Sequence, residues 1–191
     1  MSRKYESRRR IENAERTRSA IVEAAVKLHG QGVTQLAAVA EEAGVSLPTV
    51  NKHFPTREDL FVACTQHVAE NLDYPSPEAL AAIPDPAERA AQIVRQVYTL
   101  HEATFGQVWT GYRLEDESPA LARAIAEQER LVGLMAGALF RGGGVGSPAY
   151  GFAVALLNPL TYRALRLKGC LSFEQAVEQT ARALVSLLPA G

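Results

Sequence analysis

The sequence lacks the features that mark several classes of protein. Two cysteines among 191 residues, Cys64 and Cys170, exclude a disulfide framework and a four-cysteine zinc site. The longest apolar run, from Leu131 to Phe140, is about half of the roughly 20 residues that span a bilayer. Because no apolar signal core is found near the N-terminus, we expect a cytoplasmic protein that does not cross a membrane.

The motifs of common enzyme sites are missing as well. There is no Gly-rich phosphate loop ending in Lys and Ser or Thr, no Gly-x-Ser-x-Gly elbow and no His-Glu-x-x-His pair. Cys64 and His67 are spaced to share a helix face, but two ligands are too few for a metal site. We therefore expect no catalysis, no metal and no cofactor.

Strand patterns are nearly absent, and apolar residues recur at intervals of three and four, which predicts an all-α protein. Serine or aspartate followed by proline marks helix starts at Asp85, Ser118 and Ser147, since the side chain caps the helix and proline suits its first turn. The predicted helices cover residues 14–30, 35–43, 47–53, 57–71, 86–104, 106–114, 119–140, 149–168 and 173–188, with a short helical turn at 77–83.

Charge is distributed unevenly along the chain. Residues 1–57 hold ten Lys and Arg against six Asp and Glu, whereas residues 58–191 hold ten against fifteen. A basic N-terminal third indicates a nucleic-acid contact confined to that part of the chain, and a solvated charged tail is the alternative.

Residues 36–50 have the parts of a helix-turn-helix. Ala40 is small where two helices would cross closely, Gly44 suits a left-handed turn, and Val45 can fill the angle between the helices. Ser46 then caps the next helix, whose N-terminus would face a groove or a phosphate. A helical hairpin packed only for stability is the alternative.

The segment after the turn is polar and basic: Asn51, Lys52 and His53 precede Phe54, and Thr56-Arg57-Glu58-Asp59-Leu60 opens another helix. With Thr34 before the second predicted helix and Ala43-Gly44-Val45-Ser46 at the turn, residues 14–63 resemble the TetR family of bacterial transcriptional regulators. Two positions depart from the usual family pattern, since Asn51 replaces a tyrosine and Arg57 replaces a lysine.

The resemblance implies an N-terminal three-helix DNA-binding domain and a C-terminal helical ligand-binding and dimerisation domain. The predicted domains are a basic arm at 1–13, the helix-turn-helix domain at 14–57 and the helical domain at 58–191. The residues implied to contact double-stranded DNA are Thr34, Ser46, Leu47, Pro48, Thr49, Asn51, Lys52, His53 and Arg57. Asn51 and Lys52 are the candidates for base edges. The basic residues of the arm either reach the DNA or form a disordered tail; they are Arg3, Lys4, Arg8, Arg9 and Arg10.

The family layout puts the dimer interface of a homodimer on the last two helices, where the sequence has small and apolar residues. The first of these helices, which Pro159 is predicted to kink, offers Ala149, Gly151, Ala153, Ala155, Leu156, Leu160, Ala164 and Leu167. The last helix offers a stripe of Phe173, Val177, Thr180, Ala181, Leu184 and Leu188. Packing inside the core of a single subunit is the alternative.

Aromatic and polar side chains concentrate between residues 98 and 113, which suits a mostly apolar cavity with a few orienting polar groups. The candidates for binding a small-molecule effector are Tyr98, His101, Phe105, Trp109, Tyr112 and Arg113, with Asn158 and Tyr162 contributed by the dimer helix. For each residue singly, ordinary core packing is the alternative.

These features predict a ligand-responsive transcriptional regulator. We expect a homodimeric repressor that binds a palindromic operator and is released by a small molecule. The alternatives are a regulator that has lost its ligand, and a helical small-molecule-binding protein or enzyme that retains the hairpin as a scaffold.

Overall fold

The computed structural model describes the backbone of residues 2–188 and the side chains of residues 8–188. This part of the chain forms eleven helices and no strand, which confirms the all-α prediction. The helices are α1 (Ser2–Gly30), α2 (Leu36–Glu42), α3 (Leu47–His53), α4 (Arg57–Glu70), α5 (Pro77–Ala81), α6 (Pro86–Ala103), α7 (Phe105–Leu114), α8 (Pro119–Leu139), α9 (Pro148–Leu157), α10 (Pro159–Leu167) and α11 (Phe173–Val185).

The described chain divides into two compact units. The N-terminal unit comprises the residues up to Asn71 together with Trp109–Ala124, and the C-terminal unit comprises Leu72–Val108 together with the residues from Ile125 onward. The N-terminal unit extends past the predicted domain boundary at residue 57, because Leu60 and Cys64 of α4 are buried in its core.

The core of the N-terminal unit joins one apolar face from each of four helices. Ile21 of α1, Val39 of α2, Val50 of α3 and Leu60 of α4 are all completely buried within one cluster. Burial of each such side chain stabilises the fold by about 1.5–3 kcal/mol relative to leaving it exposed. Four short stretches of helix are thereby held in a fixed arrangement.

The first helix is longer than predicted. It begins at Ser2 rather than at residue 14, because no glycine or proline interrupts residues 2–29 and Arg8 pairs with Glu12 one turn later, at 2.9 Å. The predicted arm is therefore the first part of α1. The side chains of Arg3 and Lys4 lie outside the described residues, whereas those of Arg8, Arg9 and Arg10 are exposed.

Helix α11 packs along α6 in the core of the C-terminal unit, to which α8 also contributes buried residues. The stripe on α11 that was predicted to face a second subunit belongs to this core: Val177, Thr180 and Ala181 are buried, and Leu184 is 0% exposed. Phe173 and Leu188, at the ends of the stripe, pack against the same core. This part of the dimer prediction is wrong, because the amphipathic helix buries its apolar face on α6 of its own chain.

The predicted helix over 149–168 is two helices rather than one kinked helix. Asn158 has an extended backbone (ψ 142°), and its side-chain oxygen accepts a hydrogen bond from the N–H of Leu160 at 2.8 Å. Because Pro159 has no N–H to continue the ladder of α9, it begins α10 instead. The two helices carry an exposed set of small and apolar residues, here called the α9–α10 surface: Gly151, Phe152, Ala155, Leu160, Ala164 and Leu167.

The three helix starts predicted from a serine or aspartate followed by proline are confirmed. The side chains of Asp85 and Ser147 accept hydrogen bonds from backbone N–H groups three residues later, at 2.8 and 3.1 Å, and Ser118 caps α8 in the same way at 3.2 Å. Across residues 2–188, none of the helices has both the length and the hydropathy that a bilayer crossing requires.

Candidate nucleic-acid interface

The turn between α2 and α3 has the backbone geometry that the sequence predicts. Gly44 adopts φ +65°, a left-handed conformation that side chains disfavour, and the N–H of Val45 donates to the carbonyl of Ala40 at 3.0 Å. Ala40 is buried where α2 meets its neighbours. Ser46 caps α3 by accepting a hydrogen bond from the N–H of Thr49 at 3.3 Å.

Helix α3 has one buried and one exposed side. Val50 is completely buried and anchors the helix, while Leu47 is 40% exposed and Pro48 also faces solvent. Asn51 and Lys52 are exposed, and neither side chain forms a hydrogen bond or ion pair within the described part of the chain. Their amide and ammonium groups are therefore free to bind groups outside the protein.

The remaining predicted DNA contacts surround α3. Thr49 and His53 are half-buried on α3, and Ser46 is exposed at its start, where its hydroxyl also lies 2.8 Å from that of Thr49. Thr34 is half-buried one residue before Gln35, the N-cap of α2. Thr34, Ser46 and Thr49 lie at or next to helix N-termini, where hydroxyl groups and the partial positive charge of the helix suit phosphate contacts. His53 is the last residue of α3, so a phosphate contact there would come from an imidazole N–H.

Arg57 is the first residue of α4, after a capping box in which Thr56 and Asp59 bind each other's backbone N–H groups. Its guanidinium is exposed but not unoccupied, because Nη2 lies 3.1 Å from the carboxylate of Glu117. It also lies 5.5 Å from the ring centroid of Phe61. Both interactions orient the Arg57 side chain at the start of α4.

The sequence interpretation missed a second basic residue near α3. Arg18 of α1 is exposed, and its guanidinium carbon lies 4.6 Å from the ring centroid of Phe54, the C-cap residue of α3. No carboxylate in the described part of the chain pairs with it. Arg18 lies three and four residues before buried Ile21 and Val22, a spacing that places it next to the buried face of α1. The sequence alone does not identify Phe54 as its partner.

Four of the predicted effector-binding residues lie together in the C-terminal unit. The ring of Tyr162 has its centroid 4.5 Å from that of Tyr98, 5.9 Å from that of His101 and 6.1 Å from that of Phe105. Asn158, another of the predicted effector-binding residues, uses its side-chain oxygen to cap α10. Trp109, Tyr112 and Arg113 belong instead to the N-terminal unit.

Tyr98, His101, Phe105 and Tyr162 are here called the ring cluster. The polar atoms of its side chains are hydrogen-bonded within the chain. The hydroxyl of Tyr98 donates to the carbonyl of Leu156 at 2.9 Å and lies 3.0 Å from the hydroxyl of Thr180. The hydroxyl of Tyr162 donates to Glu102, which also pairs with Arg166 at 3.1 Å. Burial, and then the hydrogen bond to Glu102, raise the pKa of Tyr162.

His101 is held as a neutral imidazole by its surroundings. Its Nε2 lies 2.9 Å from the carbonyl of Leu157, and its Nδ1 lies 3.3 Å from the amide nitrogen of Gln128. A carbonyl requires a donor and an amide N–H₂ requires an acceptor, which assigns the proton to Nε2. Burial lowers the pKa of His101 from 6.5 to about 4, and the hydrogen bond to Leu157 only partly opposes it.

Within the described residues, neither cysteine forms part of a metal cluster. Among the described residues, no three His, Cys, Asp or Glu side chains lie close enough together to hold a metal ion. Cys64 is buried with its Sγ directed at the carbonyl of Val22, and burial raises the pKa of its thiol to about 12.

Comparison with known protein families identifies one that matches the N-terminal part of the chain. Residues 21–64 match the sequence model of the family described as bacterial regulatory proteins, tetR family. Among curated protein sequences, none matches this chain.

Solved structures of similar fold cover nearly the whole chain. The multidrug binding protein EbrR, solved in complex with ethidium, is 25% identical over 91% of this chain and 99% of its own, with a TM-score of 0.57. A member of the TetR family from Streptomyces coelicolor A3 is also 25% identical over 91% and 99% of the two chains, with a TM-score of 0.58. A transcriptional regulator from Rhodococcus sp. Rha1 has the same fold at 18% identity, with a TM-score of 0.62 over 91% and 94%.

Proposed function

Because this chain belongs to the TetR family of bacterial regulatory proteins, we propose that it is a homodimeric repressor that binds a palindromic operator and is released by a small molecule. The observation that carries the proposal is the exposed side of α3, where Asn51 and Lys52 lie beside Pro48 on a helix anchored by buried Val50. A helix presented in this way fits the major groove of B-DNA.

The chemistry of each side chain suggests its contact. The amide of Asn51 can pair with the N6 and N7 atoms of adenine, Lys52 can donate to guanine O6 and N7, and Leu47 with Pro48 can contact a thymine methyl group. The remaining candidates would bind phosphates and set the register without reading sequence. They are Thr34, Ser46, Thr49, His53 and Arg57, to which the structure leads us to add Arg18.

A homodimer would give this regulator its sequence specificity. One recognition helix reads only a few base pairs, whereas two helices related by a two-fold axis read half-sites about one helical turn apart. The α9–α10 surface supports such an interface, since Phe152, Leu160 and Leu167 are 54%, 40% and 50% exposed. Exposed apolar side chains grouped on a surface commonly mark contacts between proteins.

The ring cluster of the C-terminal unit is our candidate for the effector site, with Tyr98, His101, Phe105 and Tyr162 as its aromatic members and Asn158 nearby in the sequence. That EbrR was solved with ethidium bound supports an aromatic effector. Trp109, Tyr112 and Arg113 stay predictions for the same role. To act as a switch, the effector must bind the DNA-competent and incompetent states with affinities that differ by about 1–3 kcal/mol.

The experiment that tests the proposal is selection of bound fragments from random duplex DNA, followed by a salt titration of the selected duplex. We expect one enriched inverted repeat and an affinity that falls steeply as salt rises. Failure to enrich any sequence, together with salt-insensitive binding, would favour a helical small-molecule-binding protein or enzyme. Aromatic cations are then titrated onto the DNA-free protein, with Trp109, the single tryptophan, as the fluorescent reporter.

A further inference from the structure

Two adjacent residues at the start of α4, Arg57 and Glu58, both bind the connection between α7 and α8. Arg57 pairs with Glu117 through Nη2, at 3.1 Å. The carboxylate of Glu58 accepts hydrogen bonds from the hydroxyl of Ser118 at 2.5 Å and from the N–H of Ala120 at 2.7 Å. All of these residues belong to the N-terminal unit.

Glu58 completes the N-terminus of α8. Pro119 has no N–H, and Ser118 caps the N–H of Leu121, so the N–H of Ala120 is the donor that Glu58 satisfies. A carboxylate is also favoured at this end of a helix by the helix dipole. Ala120 and Leu121 are buried in a cluster with Phe61 of α4, so the contact is both polar and apolar.

This attachment determines where Glu117 lies. Because Glu117 directly precedes the anchored Ser118, its carboxylate stays within reach of Arg57 rather than moving freely in solvent. The ion pair itself remains open to exchange, since the side chains of Arg57 and Glu117 are 43% and 59% exposed. A DNA phosphate can bind the same guanidinium through two parallel hydrogen bonds, whereas the Glu117 carboxylate contacts it through Nη2.

We propose that Glu117 is an intramolecular competitor of the DNA backbone for Arg57. In the protein without DNA, the Glu117 carboxylate occupies the guanidinium that a phosphate would otherwise bind, and DNA affinity is lowered as a result. The inference rests on the proposed function, in which Arg57 contacts a phosphate. Because phosphates are the same in every sequence, the competition lowers affinity for all duplexes alike.

The test is a double-mutant cycle on DNA affinity with the full-length protein. Glu117→Gln removes the charge and keeps the shape of the side chain. We expect it to bind both the selected duplex and a random-sequence duplex about two- to fivefold more tightly at low salt, the range typical of an exposed ion pair, with the gain shrinking as salt screens the pair. In the Arg57→Ala background the same substitution should have no effect.

Asp116→Asn is the matched control, because it removes one negative charge from the neighbouring exposed residue. It should change affinity much less than Glu117→Gln does. An equal gain from both substitutions, a gain that persists in the Arg57→Ala background, or no gain at all would overturn the inference while leaving DNA binding by the unaltered protein intact. If the unaltered protein binds no DNA, the proposed function and this inference both fail. Thermal unfolding of each variant checks that the fold is retained.

Discussion

The guanidinium of Arg18 lies over the ring of Phe54, with its central carbon 4.6 Å from the ring centroid. The two residues come from α1 and from the end of α3, so the contact brings a positive charge of the first helix beside the proposed recognition helix. A cation held over an aromatic face at an exposed site gains about 0.5–1 kcal/mol, which is enough to orient the side chain. The donors of the guanidinium remain available to a phosphate.

Replacing Arg18 by alanine should weaken binding to every duplex to a similar extent, because a phosphate contact carries no sequence information. The slope of log affinity against log salt should fall by about one unit. Arg16→Ala is the control, since Arg16 is exposed on the same helix and its guanidinium donates to the side chain of Asn13, three residues earlier. An unchanged slope for Arg18→Ala would remove Arg18 from the DNA interface.

Asn51→Ala should change sequence preference, whereas loss of a phosphate contact lowers affinity for all sequences alike. If the Asn51 amide reads a base edge, its loss relaxes preference at one base-pair position and costs about 1–3 kcal/mol on the preferred sequence only. Repeating the selection from random duplexes with the variant measures this directly. A uniform loss across sequences would reassign Asn51 to the phosphate backbone.

Local chemistry explains why the helix-turn-helix could be predicted from the sequence. The turn depends on one left-handed residue, Gly44, and on one cap, Ser46, and both are determined by residue types within a few positions. The period of the apolar residues likewise placed Val50 in the core, and so identified the opposite side of α3 as exposed.

Contacts between distant segments could not be predicted in the same way. The stripe on α11 was correctly identified as apolar, but the sequence does not say whether α6 or a second subunit covers it, since both offer the same burial. The pairing of Arg18 with Phe54 and the binding of Ala120 by Glu58 join residues 36 and 62 positions apart, respectively. Such pairs depend on the packing of whole helices.

Substitutions in the buried α11 stripe and on the exposed α9–α10 surface should have contrasting effects. Leu184→Ala should lower the free energy of unfolding by about 2–5 kcal/mol, because it removes a completely buried side chain from the core. Leu160→Glu should leave folding nearly unchanged and shift the protein from dimer to monomer in sedimentation experiments. A dimer that survives both Leu160→Glu and Leu167→Glu would show that subunits associate through a different surface.

Stability should fall on acidification because of two buried histidines, one in each unit. Burial, then the charge of Arg57, lowers the pKa of His29 to about 4, and burial lowers that of His101 to about the same value. Both values lie below the ordinary 6.5, so the unfolded chain binds more protons between pH 6.5 and 4. The neutral histidines therefore stabilise the fold fully above pH 6.5, and this contribution is lost as pH falls towards 4.

The size of the effect can be measured by urea unfolding at pH 7.5 and pH 5. Each histidine should contribute a loss on the order of 2 kcal/mol between these pH values. His101→Gln keeps a donor for the carbonyl of Leu157 but cannot be protonated, so its stability should depend less on pH by about that amount, even if the variant is less stable overall. An unchanged pH dependence in His101→Gln would mean that His101 already titrates near its ordinary pKa and is reached by solvent in the folded protein.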